Sequence, residues 1–199
     1  MATTAIVMSD LLPRVRARSV VLVVGGALLT AALAQVEIPL GFTPVPLTLQ
    51  TFSVLLVGAT LGARLAAASM GLYWAMGLVG LPFYAGGTGG WDAGTGATLG
   101  YLVGFVAAAA AVGALAERRQ DRSFATSLPA MLLGSAIVYA FGSVWLSIDL
   151  GVPLATGERN AISLGVAPFL VGDAIKTVIA AACTSAAWAA IGGRADRGA

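Results

Sequence analysis

Charge is confined to short islands in this chain, and that distribution limits its fold more than any other feature. Residues 19–36, 38–63, 65–91, 93–116 and 123–148 carry no Asp, Glu, Lys or Arg, and residues 165–191 carry only Asp173 and Lys176. A helix needs about 20 mainly apolar residues to cross a bilayer's hydrocarbon. Six such segments predict an all-α membrane protein, a six-transmembrane-helix bundle that fills the chain as one domain, 1–199. The expected spans are 19–37, 47–63, 65–84, 97–116, 126–148 and 166–191. Charged residues make up 10% of the chain and hydrophobic ones 58%. A soluble domain carries about 25% charged residues, so lipid is the solvent this composition suits.

The cations set the orientation. Arg14, Arg16, Arg18, Arg64, Arg118, Arg119, Arg122, Arg194 and Arg197 fall at one end of the expected spans, and Arg159 alone at the other. Cytoplasmic segments collect Lys and Arg. With an even number of spans, both termini are therefore expected in the cytoplasm and the protein in the cell membrane. The basic balance then reports topology rather than affinity for nucleic acid. Arg14, Arg16 and Arg18 ahead of an apolar stretch resemble a signal peptide, but the stretch is long and shows no clear cleavage pattern, so it is read as a span.

Structural irregularity collects at the opposite end. The connection at 37–46 contains Pro39, Pro44 and Pro46, the one at 80–96 contains Pro82 and six glycines from Gly86 to Gly96, and the third runs over 149–165. Proline and glycine interrupt helices and let backbone approach a ligand. Irregular backbone near the membrane survives only against protein or water. A binding site on the outer face follows as the expectation.

Asp173 and Lys176 are its leading residues. Three apart on a helix, they share a face. A lone charge at a span centre costs about 2.5–3.5 kcal/mol on insertion scales. The two either neutralise each other within the bundle or bind a polar ligand. The segment from Phe83 through Tyr84, Gly86, Gly87 and Gly89 to Trp91 interleaves aromatic rings with glycines. It reads either as a lid with exposed amides or as a flexible hairpin with Trp91 at the interface. In the run from Thr43 to Thr51, Thr48 can cap the next helix, and Gln50 carries an amide into or near the bundle. Tyr101 closely follows the glycine-rich loop; Tyr139 and Trp145, taken singly, read as packing. Small residues four apart (Ala27/Ala31, Gly58/Gly62, Gly100/Gly104) form grooves for close helix approach. Ala27/Ala31 is the candidate for an outside partner.

Some chemistries are excluded. There is no histidine, no thiol–base pair and no carboxylate cluster, so no catalytic constellation, cofactor site or metal site is expected. The sole cysteine, Cys183, reads as a small packing residue in an Ala-rich stretch. The sole lysine follows Ile175 rather than glycine, so there is no phosphate-binding loop and no means of hydrolysing ATP. An autonomous or ion-coupled small-molecule carrier using Asp173, and a structural subunit without ligand, remain as other readings of these residues.

Taken in order, the residues resemble the BioY family, the biotin-specific substrate-binding (S) components of energy-coupling factor (ECF) transporters. The likeness runs from about residue 27 to 179. Its carriers are 43–50, 77–90, 100–105 and above all 167–176, which reads Ala-Pro-Phe-Leu-Val-Gly-Asp-Ala-Ile-Lys. The sequence departs from the family's Pro-Thr-Gly-Gly-Tyr with Ala97-Thr98-Leu99-Gly100-Tyr101. The resemblance implies high-affinity capture of biotin at the outer face. It implies partnership with a transmembrane coupling protein and ABC ATPases, with Ala27 and Ala31 facing the coupling protein. It also implies that Asp173 and Lys176 make polar contacts to biotin, while Phe83, Tyr84, Gly86, Gly87, Gly89 and Tyr101 line or lid the pocket.

Overall fold

The computed structural model describes residues 7–11 and 17–195. Arg14, Arg16 and Arg197, used above for orientation, lie outside the described residues, as does the side chain of Arg194. The chain forms α1 (Arg18–Ala34), α2 (Gln50–Leu61), α3 (Ala63–Leu78), α4 (Trp91–Thr95), α5 (Leu99–Glu117), α6 (Phe124–Leu150), α7 (Ala161–Gly165) and α8 (Leu170–Ala195). Single 3-10 turns stand at Met8–Leu11, Ala85–Gly87 and Ala167–Phe169.

Each expected span contains one long helix, but the lengths differ from a uniform set. Among the described residues, three helical stretches are able, by length and composition, to cross a membrane: 99–117, 124–150 and 161–191. Arg18–Ala34 and Gln50–Leu61 are shorter apolar helices. At 1.5 Å per residue, α2 rises only about 18 Å. Its expected beginning is used up by the proline-bearing connection, which folds back as a two-residue antiparallel ladder, β1 (Glu37–Ile38) on β2 (Leu47–Thr48), pairing Glu37 with Thr48. That small ladder is a local addition to a chain that is otherwise helical, as expected. The last helix begins later than the expected span start at 166, because a 3-10 turn occupies Ala167–Phe169, and Asp173 falls in the first turn of α8.

The α2–α3 turn is as short as the spacing around Arg64 suggested. Gly62 alone separates the helices, at φ 80° and ψ 170°, in the positive-φ region that L side chains avoid. The Glu117 carboxylate accepts the Ala63 N–H at 2.9 Å and so satisfies one orphan donor at the α3 start.

Small residues bring the helices together. Ala34, Ala59, Ala66, Ala108 and Ala109 are fully buried. A Cβ on Gly104 would press on the Val138 backbone at 3.1 Å, and one on Gly58 would stand 3.0 Å from the Ala109 carbonyl, so α5 meets both α6 and α2 at close range. In lipid, such close approach and interhelical hydrogen bonds replace the hydrophobic drive. Large apolar side chains such as Val20, Leu28, Val171 and Ile175 turn outward instead. Ala27 and Ala31 require a correction. They are 1% and 7% exposed and belong to the internal core, so they do not face a partner as placed here. The groove they form is already filled by this chain's own helices, with α1 packed along α3 and α2. Cys183, expected to pack, is exposed on α8.

Candidate functional site

Two of the irregular connections, at 37–46 and 80–96, border a cavity of about 500 Å³ at the end of the bundle opposite Arg18, Arg64, Arg118 and Arg119, and the third, 149–165, supplies no wall residue. Its wall draws on residues 37–51, 84–105, 138–139 and 169–176. Drug-sized ligands occupy pockets of about 300–1,000 Å³, mostly apolar with a few placed polar groups.

The cavity floor is built around Asp173 and Lys176, which are 6% and 9% exposed. Lys176 Nζ lies 2.7 Å from Asp173 Oδ1 and donates to the Thr48 carbonyl at 2.6 Å. The Thr51 hydroxyl donates to Asp173 Oδ1 at 3.0 Å, and the Tyr139 hydroxyl donates to Oδ2 at 2.5 Å. One carboxylate thus ties the start of α8 to the start of α2 and to α6. An ammonium has three N–H donors and a carboxylate about four acceptor positions. These contacts use two of the former and three of the latter. The floor therefore offers the cavity one donor from Lys176 beside one acceptor position on Asp173. The charges neutralise each other and still leave polar valences on the cavity wall, so the two alternatives left by the sequence are not exclusive.

A second polar chain holds the adjacent wall. Thr48 donates to Gln50 Oε1 at 2.8 Å and accepts the Gln50 N–H at 3.2 Å, a cap-like bond at the entrance to α2. Gln50 Nε2 donates to the Tyr73 hydroxyl. The Tyr73 ring stacks on Phe83 and meets Tyr84 edge-on, with centroids 6.4 and 5.8 Å apart. Tyr84 donates to the Trp74 carbonyl at 2.7 Å, and the Gln35 amide holds the Tyr84 carbonyl at 3.2 Å. The glycine-rich loop is therefore fastened to α1 and α3 through Tyr84. On the opposite side, the Tyr101 hydroxyl donates to the Gly165 carbonyl at 2.7 Å, joining α5 to α7.

Of the residues singled out from sequence, Gln50, Tyr84, Gly86, Tyr101, Asp173 and Lys176 lie on the cavity wall. Phe83, Gly87 and Gly89 do not. Phe83 backs Tyr73, while Gly87 and Gly89 are exposed in the loop. Thr51, Tyr139, Glu37, Asp92 and Phe169 are on the wall without having been singled out as site residues. The hydroxyl-rich run from Thr48 to Thr51 was a usable signal for Thr51. Nothing in the sequence paired Tyr139 with a residue 34 positions away. Among the described residues, no group of three or more His, Cys, Asp or Glu is arranged to hold a metal ion.

This arrangement has known counterparts. The model of the BioY family matches residues 5–193. The biotin transporter BioY of Thermotoga maritima is 40% identical over 148 residues, covering 74% of this chain and 82% of that protein. The biotin transporter BioY of Rhodobacter capsulatus is 39% identical over 172 residues, 81% of this chain and 88% of that one. In three dimensions, the chain is similar to the crystal structure at 2.1 Å of the S-component for biotin from an ECF-type ABC transporter. The TM-score is 0.75 at 26% identity, over 85% of this chain and 90% of the other. These relatives are transporters rather than enzymes. From the agreement of sequence and fold over most of its length, the chain belongs to the BioY family.

Proposed function

We propose that this protein is the biotin-binding S component of an ECF-type ABC importer. In this reading it spans the cell membrane six times with both termini in the cytoplasm. The cavity opens outward, and a transmembrane coupling protein with ABC ATPases supplies the energy this chain has no motif to supply. The observation that carries the ligand assignment is the unused donor on Lys176 beside the unused acceptor position on Asp173. A cyclic urea presents the complement, a carbonyl oxygen next to an N–H. The ureido head of biotin then sits at the floor, and Tyr101, Phe169 and Leu102 supply apolar wall for the bicycle. Gln50, Tyr84 and Gly86 border the remaining volume, while Phe83, Gly87 and Gly89 act behind that wall by holding the loop.

The orientation has independent support. Described arginines collect at the end away from the cavity, with Arg159 as the exception, which suits a cytoplasmic face there. Calorimetric titration of biotin into the detergent-solubilised chain tests the site. Wild type binds tightly, and Asp173→Asn and Lys176→Ala each lose at least about tenfold, or about 1.4 kcal/mol. Unchanged affinity in both variants removes the site assignment, and absence of binding to folded wild type removes the ligand.

A further inference from the structure

The mouth of the cavity differs in charge from its floor. Four formally charged side chains line the cavity: Glu37, Asp92, Asp173 and Lys176. Lys176, its sole cation, is held at the floor by Asp173 and the Thr48 carbonyl. Glu37 and Asp92 are on the wall together with exposed Gly86 and Thr88, and Asp92 is itself exposed. The Glu37 carboxylate lies against the Gly86 backbone, where an added Cβ would be 2.7 Å from Oε1. Neither rim acid has an ion pair or side-chain hydrogen bond among the described residues, so no cation offsets either one.

We propose that Glu37 and Asp92 act as a charge filter on the ligand's tail, and that the site accepts biotin amides at least as well as the free acid. The inference rests on the biotin reading above. With the ureido head on the floor, the aliphatic tail runs toward the mouth, and its terminal group arrives where both charges are negative. A carboxylate there meets like charge, whereas an amide keeps its hydrogen-bonding capacity without the repulsion. The chemical class is therefore a biotinyl amide, including biotin joined through its carboxyl group to an amine such as a lysine side chain. The effect is electrostatic and near solvent, so salt must weaken it.

The test is calorimetry on the full chain in detergent, with biotin, its primary amide and its lysine amide, each at low and high salt. Wild type, Glu37→Gln and Asp92→Asn are compared. The expected results are an amide affinity equal to or above that of the acid, and acid binding that tightens with salt. Each rim variant should gain about threefold or more for the acid at low salt, with little change for the amides. A wild-type preference of tenfold or more for the acid overturns the proposal, as does weaker acid binding in the rim variants. If biotin binds and Asp173→Asn weakens it while the rim variants change nothing, only the filter fails. If neither acid nor amide binds folded wild type, the biotin reading itself fails and this proposal falls with it.

Discussion

Replacing Lys176 with methionine tests whether the floor pair is one coupled unit. The substitution keeps most of the side-chain volume and deletes the 2.7 Å ion pair and the 2.6 Å bond to the Thr48 carbonyl. Removing one partner of a buried ion pair costs about 3–5 kcal/mol, because the other charge is left uncompensated. Asp173 keeps the Thr51 and Tyr139 hydroxyl donors, which places Lys176→Met near the lower end, about 3 kcal/mol. Asp173→Asn strands a buried ammonium and should cost a similar amount, about 2–3 kcal/mol. The double variant leaves no charge at all, and Asn can accept from one of the two hydroxyls and donate to the other. It should cost only about 2 kcal/mol, giving a coupling energy of about 3–4 kcal/mol between the sites. Reversible unfolding by SDS titration in mixed micelles reads all three values, and calorimetry should show that none of the variants retains wild-type biotin affinity. If the two single costs add in the double variant to within about 0.5 kcal/mol, the residues are energetically independent and the account of the floor is wrong.

Three further outcomes follow from other contacts. In Gly77→Ala, the new methyl group collides with the Tyr84 ring, which packs directly on Gly77. Tyr84 then leaves the Trp74 carbonyl and the cavity wall, so biotin affinity falls about tenfold or more while helical circular dichroism is kept; unchanged affinity refutes the link. Tyr101→Phe orphans the buried Gly165 carbonyl and should lower unfolding free energy by about 1–3 kcal/mol, a cost that SDS titration would detect. At the arginine-bearing end, the Asp121 carboxylate accepts the Trp188 indole N–H, and the Arg122 guanidinium lies 3.3 Å over the Trp188 ring. Burial pushes the Asp121 carboxyl up, against the opposing pull of the Trp188 hydrogen bond and of Arg122. A carboxyl raised on folding holds its proton better in the folded chain. Its contribution to stability is therefore present at low pH and is lost as pH rises through the raised value. Asp121→Asn should flatten that segment of the unfolding profile, and an unaltered slope would show that Asp121 does not set it.

Much of the architecture was readable because the underlying physics is local or compositional. Uncharged runs long enough to span lipid marked each long helix, since charge in hydrocarbon is too costly to leave unpaired. Proline and glycine marked the irregular connections, two of which border the cavity. Asp173 and Lys176 stood out because two opposite charges one turn apart in an apolar segment call for a partner. The ends of α2 were not readable: only the folded hairpin reveals that 47–48 pair with 37–38 rather than begin the helix. Ala27 and Ala31 show a related limit, because small residues record that a helix comes close without recording whose helix it is.

The one-dimensional order of residues determined the mostly helical, apolar character of the chain and the pair of charges on the cavity floor, since each depends on composition or on spacing within one helix. Tertiary structure decided which valences of that pair remain unused. Tyr139, Thr51 and the Thr48 carbonyl reach Asp173 and Lys176 from elements 34 to 128 positions away. It also decided that Glu37 and Asp92 share the cavity mouth. A hydrogen bond depends on distance and direction in space, and helix packing alone sets these between residues so far apart in the chain.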